Sequence, residues 1–299
     1  MIRGAVTICL LFCLVPTIMA DDLTVSLRHR VAKANSQDEY LVKMRKETWN
    51  PQQTAIIVCD MWDSHHCPNA VKRVVEMAPR MNKVLEKARS MGVLIIHAPS
   101  SCMKAYVNHP GRKRAQNAPT AKTLPKDISR WCYKIDSESK VPYPIDQSDG
   151  GCDCNSSEQK AWDAKLKAMG RNPKAPWLRQ IDLLKIHKSD AISDSGIEIW
   201  NLLTDRKIEN VILLGVHTNM CVLGRPFGLR QMAKNGKNTV LMRDMTDTMY
   251  NPQRKPFVSH FGGTQLIIEY IEKTVCPTMT SDQILGGEPF RFSGDKSTQ

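Results

Sequence analysis

Gly215-Val216-His217-Thr218-Asn219-Met220-Cys221 follows directly on the apolar run Val211-Ile212-Leu213-Leu214. This pattern predicts a buried strand, a turn, and a cysteine at the start of a helix over Val222 to Lys234. A helix N-terminus favours negative charge, so a thiol there ionises more readily, and the thiolate is the nucleophilic form. Free amides of the first helical turn can also hold an oxyanion formed when sulfur attacks a carbonyl. A small, inert core cysteine is the competing reading. Thr54 to Val58 is a second β-favouring run, and it ends in Cys59-Asp60-Met61-Trp62-Asp63. Strand C-termini are where parallel α/β sheets hold ligands, which makes Asp60 a candidate acid/base, with a helix N-cap as the plainer role. Ile181 to Lys188 reads as another strand, with Lys185, His187 and Lys188 crowding its end. A lysine there would lower a thiol's pKa and keep an aspartate ionised; a solvated surface charge is the alternative.

The elements that must position these groups alternate along the chain. Ala78 to Met91 reads as a helix with Pro79 near its first turn and Gly92 as its stop, and Val93 to Ala98 as a strand. Ile181 to Ile186, Asn210 to Leu214 and Thr239 to Arg243 supply further strands, while Ile197 to Arg206 and Leu266 to Lys273 look helical. Alternation of this kind predicts an α/β fold: a three-layer αβα sandwich around a mostly parallel sheet. Pro99 to Trp177 departs from the pattern. It is rich in Pro, Lys, Ser and Asp, with helical character near Ser157 to Met169. We expect an insertion over the active-site mouth within a single domain spanning residues 21–299; a peripheral decoration or oligomer contact is the alternative.

Taken in order, Asp60, Lys188 and Cys221 resemble the Asp-Lys-Cys set of the isochorismatase-like cysteine hydrolases, the superfamily that includes nicotinamidases. The cysteine lies in a G-x-x-T-x-x-C pattern (Gly215, Thr218, Cys221), and Lys188 stands 33 residues before it. The resemblance covers Thr54 to Ala98 and Ile181 to Asp247. It implies cleavage of an amide-type C–N bond in a small molecule through a Cys221 thioester, with Asp60 as acid/base and Lys188 holding the ion array. It also implies a cis peptide at Val216–His217 and an oxyanion hole from the His217 and Cys221 amides. Trp62, His65, His97 and Arg225 are the expected substrate contacts, Arg225 by binding a carboxylate. Relatives are often dimers or larger, so the resemblance implies a homo-oligomer. Trp62 and Ser64-His65 stand where nicotinamidases carry Gln and then Asp-Phe, and no Asp-x-His follows the second strand near His97. No cofactor is therefore expected. Asp63, His65 and His66 fit zinc by composition alone. Two other classes stay open on the same fold: a non-catalytic binding protein, and a thiol-redox protein pairing Cys221 with Cys59.

Arg3, the apolar run Ala5 to Ile18 and Met19-Ala20 read as a signal peptide cut after Ala20, so the chain is expected to be exported, periplasmic or secreted. No later run is long enough to span a membrane. Removal of the leader takes Cys9 and Cys13 away, leaving Cys59, Cys67, Cys102, Cys132, Cys152, Cys154, Cys221 and Cys276. In an oxidising compartment a disulfide from Cys132 to Cys152 or Cys154 is expected, with Cys59 reduced; zinc on those three loop cysteines is weaker, since no second Cys/His pair has ligand spacing. The net charge of +12 is dispersed and carries no nucleic-acid motif, so no specific nucleic-acid partner is expected.

Overall fold

The computed structural model describes residues 22–34 and 39–296. The leader with its cleavage site lies outside the described residues. One sheet of eight strands forms the centre: β1 (Leu23–Ala32), β2 (Tyr40–Trp49), β3 (Thr54–Cys59), β4 (Leu94–Ala98), β5 (Ala191–Ile192), β6 (Asn210–Val216), β7 (Asn238–Asp247) and β8 (Thr278–Met279). Their order is β2-β1-β8-β7-β6-β3-β4-β5. Neighbours from β8 to β5 run parallel, and β1 is antiparallel to both β8 and β2. The sheet is thus mostly parallel, as the alternating pattern predicts.

Helices cover both faces. On one, α1 (Pro68–Ser90) and the short α7 (Asp282–Leu285) pack their apolar sides on Ile56, Val58, Ile212 and Leu214. On the other, α4 (Gly196–Asp205), α5 (Leu229–Lys234) and α6 (His260–Thr274) cover Ala55, Ile57, Val211 and Leu213. Period-two side-chain alternation divides each central strand between these two cores, and burial on both faces explains why β3 and β6 read as unbroken apolar runs.

Several elements differ from the sequence expectation. Helix α1 begins ten residues before Ala78, with Pro68 in its first turn, and continues through Pro79. Val74, Met77, Ala78, Met81, Val84 and Leu85 form one buried stripe, whereas Pro79 faces solvent, so its missing N–H falls on the wet side. Ile181 to Ile186 is a turn rather than a strand. Asp182 and Lys185 interrupt its apolar residues, Leu183 is exposed, and β5 forms further on. Strands β1 and β2 were not foreseen. Strand β1 alternates Leu23, Val25 and Leu27 inward, while β2 is an exposed edge carrying Lys43, Arg45 and Lys46, which oppose further pairing.

The insertion adds α2 (Pro110–Gln116) and α3 (Ser156–Ala168). Its loops lie over the strand ends: Trp177 stacks on Trp62 at 4.5 Å, Trp162 Nε1 donates to the His65 carbonyl at 2.8 Å, and Cys132 N–H donates to Gly224 at 2.8 Å. No described helix is long and apolar enough to cross a membrane.

Candidate active site

β3 connects through α1 to β4 on one side, while β6 connects through α5 to β7 on the other. The adjacent C-termini of β3 and β6 therefore bound the crevice where chain direction diverges, the position at which open α/β sheets bind ligands. Asp60 leaves the end of β3, and His217 to Cys221 leave the end of β6.

Glycine is required where the two strand ends meet. Gly215 has φ +104°, and a Cβ there would lie 2.1 Å from the Cys59 carbonyl oxygen. The next peptide, Val216–His217, is cis. Thr218–Val222 then forms a single wide turn, with Val222 N–H donating to the His217 carbonyl at 3.2 Å. Its position is fixed from β7: the Thr218 and Thr246 hydroxyls are 2.7 Å apart, and the Asn219 side chain bonds both the N–H and the carbonyl of Met249 at 2.9 Å. The expected helix over Val222 to Lys234 is interrupted after Gly224, where Pro226 supplies no N–H, and α5 restarts after Gly228.

That break leaves Arg225 at the strand ends. Its Nε donates to Asp60 Oδ2 at 3.1 Å, and the guanidinium lies 5.4 Å from the Trp131 ring centroid. The other Asp60 oxygen accepts the Ser100 N–H at 2.7 Å, and the Cys221 thiol faces the same carboxylate closely enough to favour its ionised form. Asp60 is fully buried and Cys221 is 8 % exposed. Burial lifts the Asp60 carboxyl above its usual range, while Arg225, the Cys221 thiol and Ser100 favour the ionised form. Burial, and then the Asp60 charge, push the Cys221 thiol well up, against Arg225. The cysteine sits on one wide turn, in a dry site, facing a carboxylate, rather than at the head of the long helix expected from the sequence, and burial and that charge both oppose ionisation of the thiol. As a nucleophile it needs a base.

Lys188 is not brought to this pair. Its side chain is exposed, and its carbonyl accepts from Arg114 at 2.8 Å. The turn at Ile181 to Ile186 and the late start of β5 leave it at the outer sheet edge. The cation on Asp60 is Arg225, which the sequence reading placed on a substrate carboxylate. His97 is also elsewhere. It points to the α1 face, where its ring nitrogens lie 3.0 Å from Gln180 Oε1 and 3.1 Å from Asp190 Oδ2.

Trp62 and His65 do lie beside Asp60, lining with Ser64, Val71, Val74, Val216 and His217 a cavity of about 10 Å³, room for roughly one water. His65 is 4.7 Å from His217, centroid to centroid. Burial pushes the His217 ring down to about 3 and His65 well below the usual histidine range, so both are neutral at pH 7. His217 Nε2 is buried without a hydrogen-bond partner.

Asp63, His65 and His66 do not form a metal set. Asp63 accepts from Arg171 at 2.9 Å and from the Leu178 N–H at 3.0 Å, and His65 Nδ1 accepts from the Cys67 N–H at 3.2 Å. Nor does Cys132 meet Cys152 or Cys154, since it packs beside Gly224 and Arg230 while those two meet Cys67. Sequence reasoning also missed a buried ionic cluster behind the crevice. Asp247, at the end of β7, accepts from Arg73 at 2.7 Å and lies 2.8 Å from His260 Nε2, and Arg73 also binds Asp153 at 2.8 Å. Its available signal was an aspartate closing a parallel strand, as Asp60 does.

The fold and site together define an αβα protein with a buried Cys–Asp–Arg group at its switch point. No protein-family model matches the chain, and no curated protein does. Among solved structures it is similar to a cysteine hydrolase from Pseudomonas syringae, at 18 % identity and TM-score 0.47, covering 79 % of this chain and 92 % of that one. It is also similar to an isochorismatase from Pseudomonas putida, at 12 % and 0.44, covering 78 % and 90 %. A third is a pyrazinamidase of Pyrococcus horikoshii in complex with zinc, at 15 % and 0.39, covering 75 % and 97 %. At these identities residues and activity do not carry across.

Proposed function

We propose that this chain is a cysteine hydrolase of the isochorismatase-like type that cleaves an amide-type C–N bond in a small molecule. The observation that carries the reading is a fully buried Asp60 carboxylate that pairs with the Arg225 guanidinium and faces the Cys221 thiol. Asp60 takes the thiol proton as sulfur attacks the carbonyl carbon, and the His217 and Cys221 amides receive the oxyanion. The protonated Asp60 then passes its proton to the leaving nitrogen as the C–N bond breaks, leaving a thioester. Water, deprotonated by Asp60, adds to the thioester; the acid departs and Cys221 regains its proton. Arg225 takes the part the sequence reading gave to Lys188: it keeps Asp60 ionised in a dry site and opposes the upward shift of the thiol.

Substrate entry requires side chains lining the cavity beside Asp60 to move, because it holds about one water. The chain is further proposed to act outside the cytoplasm after cleavage behind Ala20, and to self-associate. Incubation of the mature chain with a panel of small amides, read by ammonia release and by intact mass for an acyl adduct, tests the hydrolase reading. Ammonia release that is absent from Cys221→Ala supports it. An inert panel together with a Cys59–Cys221 disulfide in peptide maps would favour the thiol-redox reading instead.

A further inference from the structure

The Cys67, Cys152 and Cys154 sulfurs all lie within 4.8 Å of one another. They come from distant parts of the chain: Cys67 caps the N-terminus of α1, and the other two form a C-x-C just before α3. Cys67 is fully buried, and Cys152 and Cys154 are partly buried. A neutral oxygen faces the same group. Gln159 Oε1 lies 3.0 Å from Cys154 Sγ and 3.5 Å from Cys152 Sγ. Its orientation is fixed from behind, where Nε2 donates to Asp163 at 2.7 Å and to the His66 carbonyl at 3.0 Å.

We propose that Cys67, Cys152 and Cys154 bind a zinc ion, with the Gln159 carbonyl oxygen or a water as the fourth ligand. Zinc is borderline-soft, favours thiolates and tolerates one oxygen in a tetrahedron. At a Zn–S distance of about 2.3 Å the sulfurs of a tetrahedral site lie about 3.8 Å apart; Cys152 and Cys154 Sγ, 2.9 Å apart, would open by a rotation of these partly buried side chains to take the ion. A disulfide would engage two sulfurs and leave the third beside it, whereas one cation uses all three. On binding, each thiol releases its proton to solvent, so three thiolates and Zn²⁺ leave one net negative charge. The Asp153 carboxylate, 3.5 Å from Cys67 Sγ, is offset by Arg73, which binds it at 2.8 Å. The ion would clamp the insertion to the start of α1. It shares no ligand with Asp60, Arg225 and Cys221, and its role is structural.

Metal analysis of the purified full chain, produced with zinc sulfate in the medium, tests this. We expect about one zinc per chain, reduced tenfold or more in Cys67→Ser, Cys152→Ser and Cys154→Ser but retained in Cys132→Ser and Cys276→Ser. Should the three variants fail to fold, wild type stripped with a chelator provides the same test. Added Cd²⁺ should then produce a thiolate charge-transfer band in the ultraviolet, and added Zn²⁺ should raise the melting temperature. A metal-free chain whose peptide map shows a disulfide between two of these cysteines, zinc content unchanged in all three variants, or stripped protein giving neither response would overturn the proposal.

Discussion

Arg225 Nε lies 3.1 Å from Asp60 Oδ2, although the two residues are 165 positions apart in the chain. Cys221, whose carbonyl accepts the Arg225 N–H at 3.0 Å, faces the same carboxylate. Acid, cation and thiol therefore come from two strand ends alone.

This arrangement predicts effects of opposite sign for Asp60→Asn. The Asp60 charge raises the Cys221 thiol, so its removal should speed alkylation of Cys221 by iodoacetamide at neutral pH. Loss of the base should at the same time lower amide hydrolysis by about 10²–10⁴-fold. Parallel labelling and ammonia assays check both, and slower alkylation would contradict the electrostatic account.

Arg225 and Lys188 should behave differently. Arg225 lowers the Asp60 carboxyl against burial, so Arg225→Gln should raise it further and move the acid limb of kcat/KM to higher pH. Lys188→Ala should leave the profile in place, because the side chain is exposed at the sheet edge. Rate–pH profiles of the two variants decide which residue is the cation of the site; a large loss confined to Lys188→Ala would restore the lysine reading.

Gly215→Ala should destabilise the fold by about 3 kcal/mol or more, combining strain at positive φ with a Cβ 2.1 Å from the Cys59 carbonyl oxygen. Urea denaturation measures this. A change below about 1 kcal/mol would mean that β3 and β6 can separate without penalty.

Asp190 provides a pH test. Burial raises its carboxyl, but hydrogen bonds from His97 and Arg89 outweigh that and take it from 3.8 down to about 2. A folded-state pKa below the unfolded value contributes stability that is complete above the unfolded value and is lost as pH falls toward the folded one. Wild type should accordingly lose stability between pH 3.8 and about 2, and Asp190→Asn should flatten that part of the curve while lowering stability at neutral pH. Denaturation midpoints across the range measure it.

The architecture was legible because β3, β4, β6 and β7 are buried on both faces, and such strands must be written as apolar runs between amphipathic helices. The edge pair β1–β2 was not, since one-sided burial and a charged partner leave a weak signal. Asp60, Cys221 and the glycine between their strands were visible because each ends or follows such a run and has a chemistry of its own.

The sequence by itself determined which strand ends carry an acid and a thiol, since local pattern fixes where strands stop. Only the tertiary structure decided what surrounds them. The cation is Arg225 rather than Lys188 because Pro226 breaks the helix and Ile181 to Ile186 turns away from the sheet. Burial and an opposing carboxylate push the thiol up, against Arg225, and neither is visible in the local pattern around Cys221. Cys67 meets Cys152 and Cys154 rather than leaving them to Cys132, because the insertion folds back onto the start of α1. Charge and sulfur proximities of this kind depend on distances through space, and spacing along the chain does not encode them.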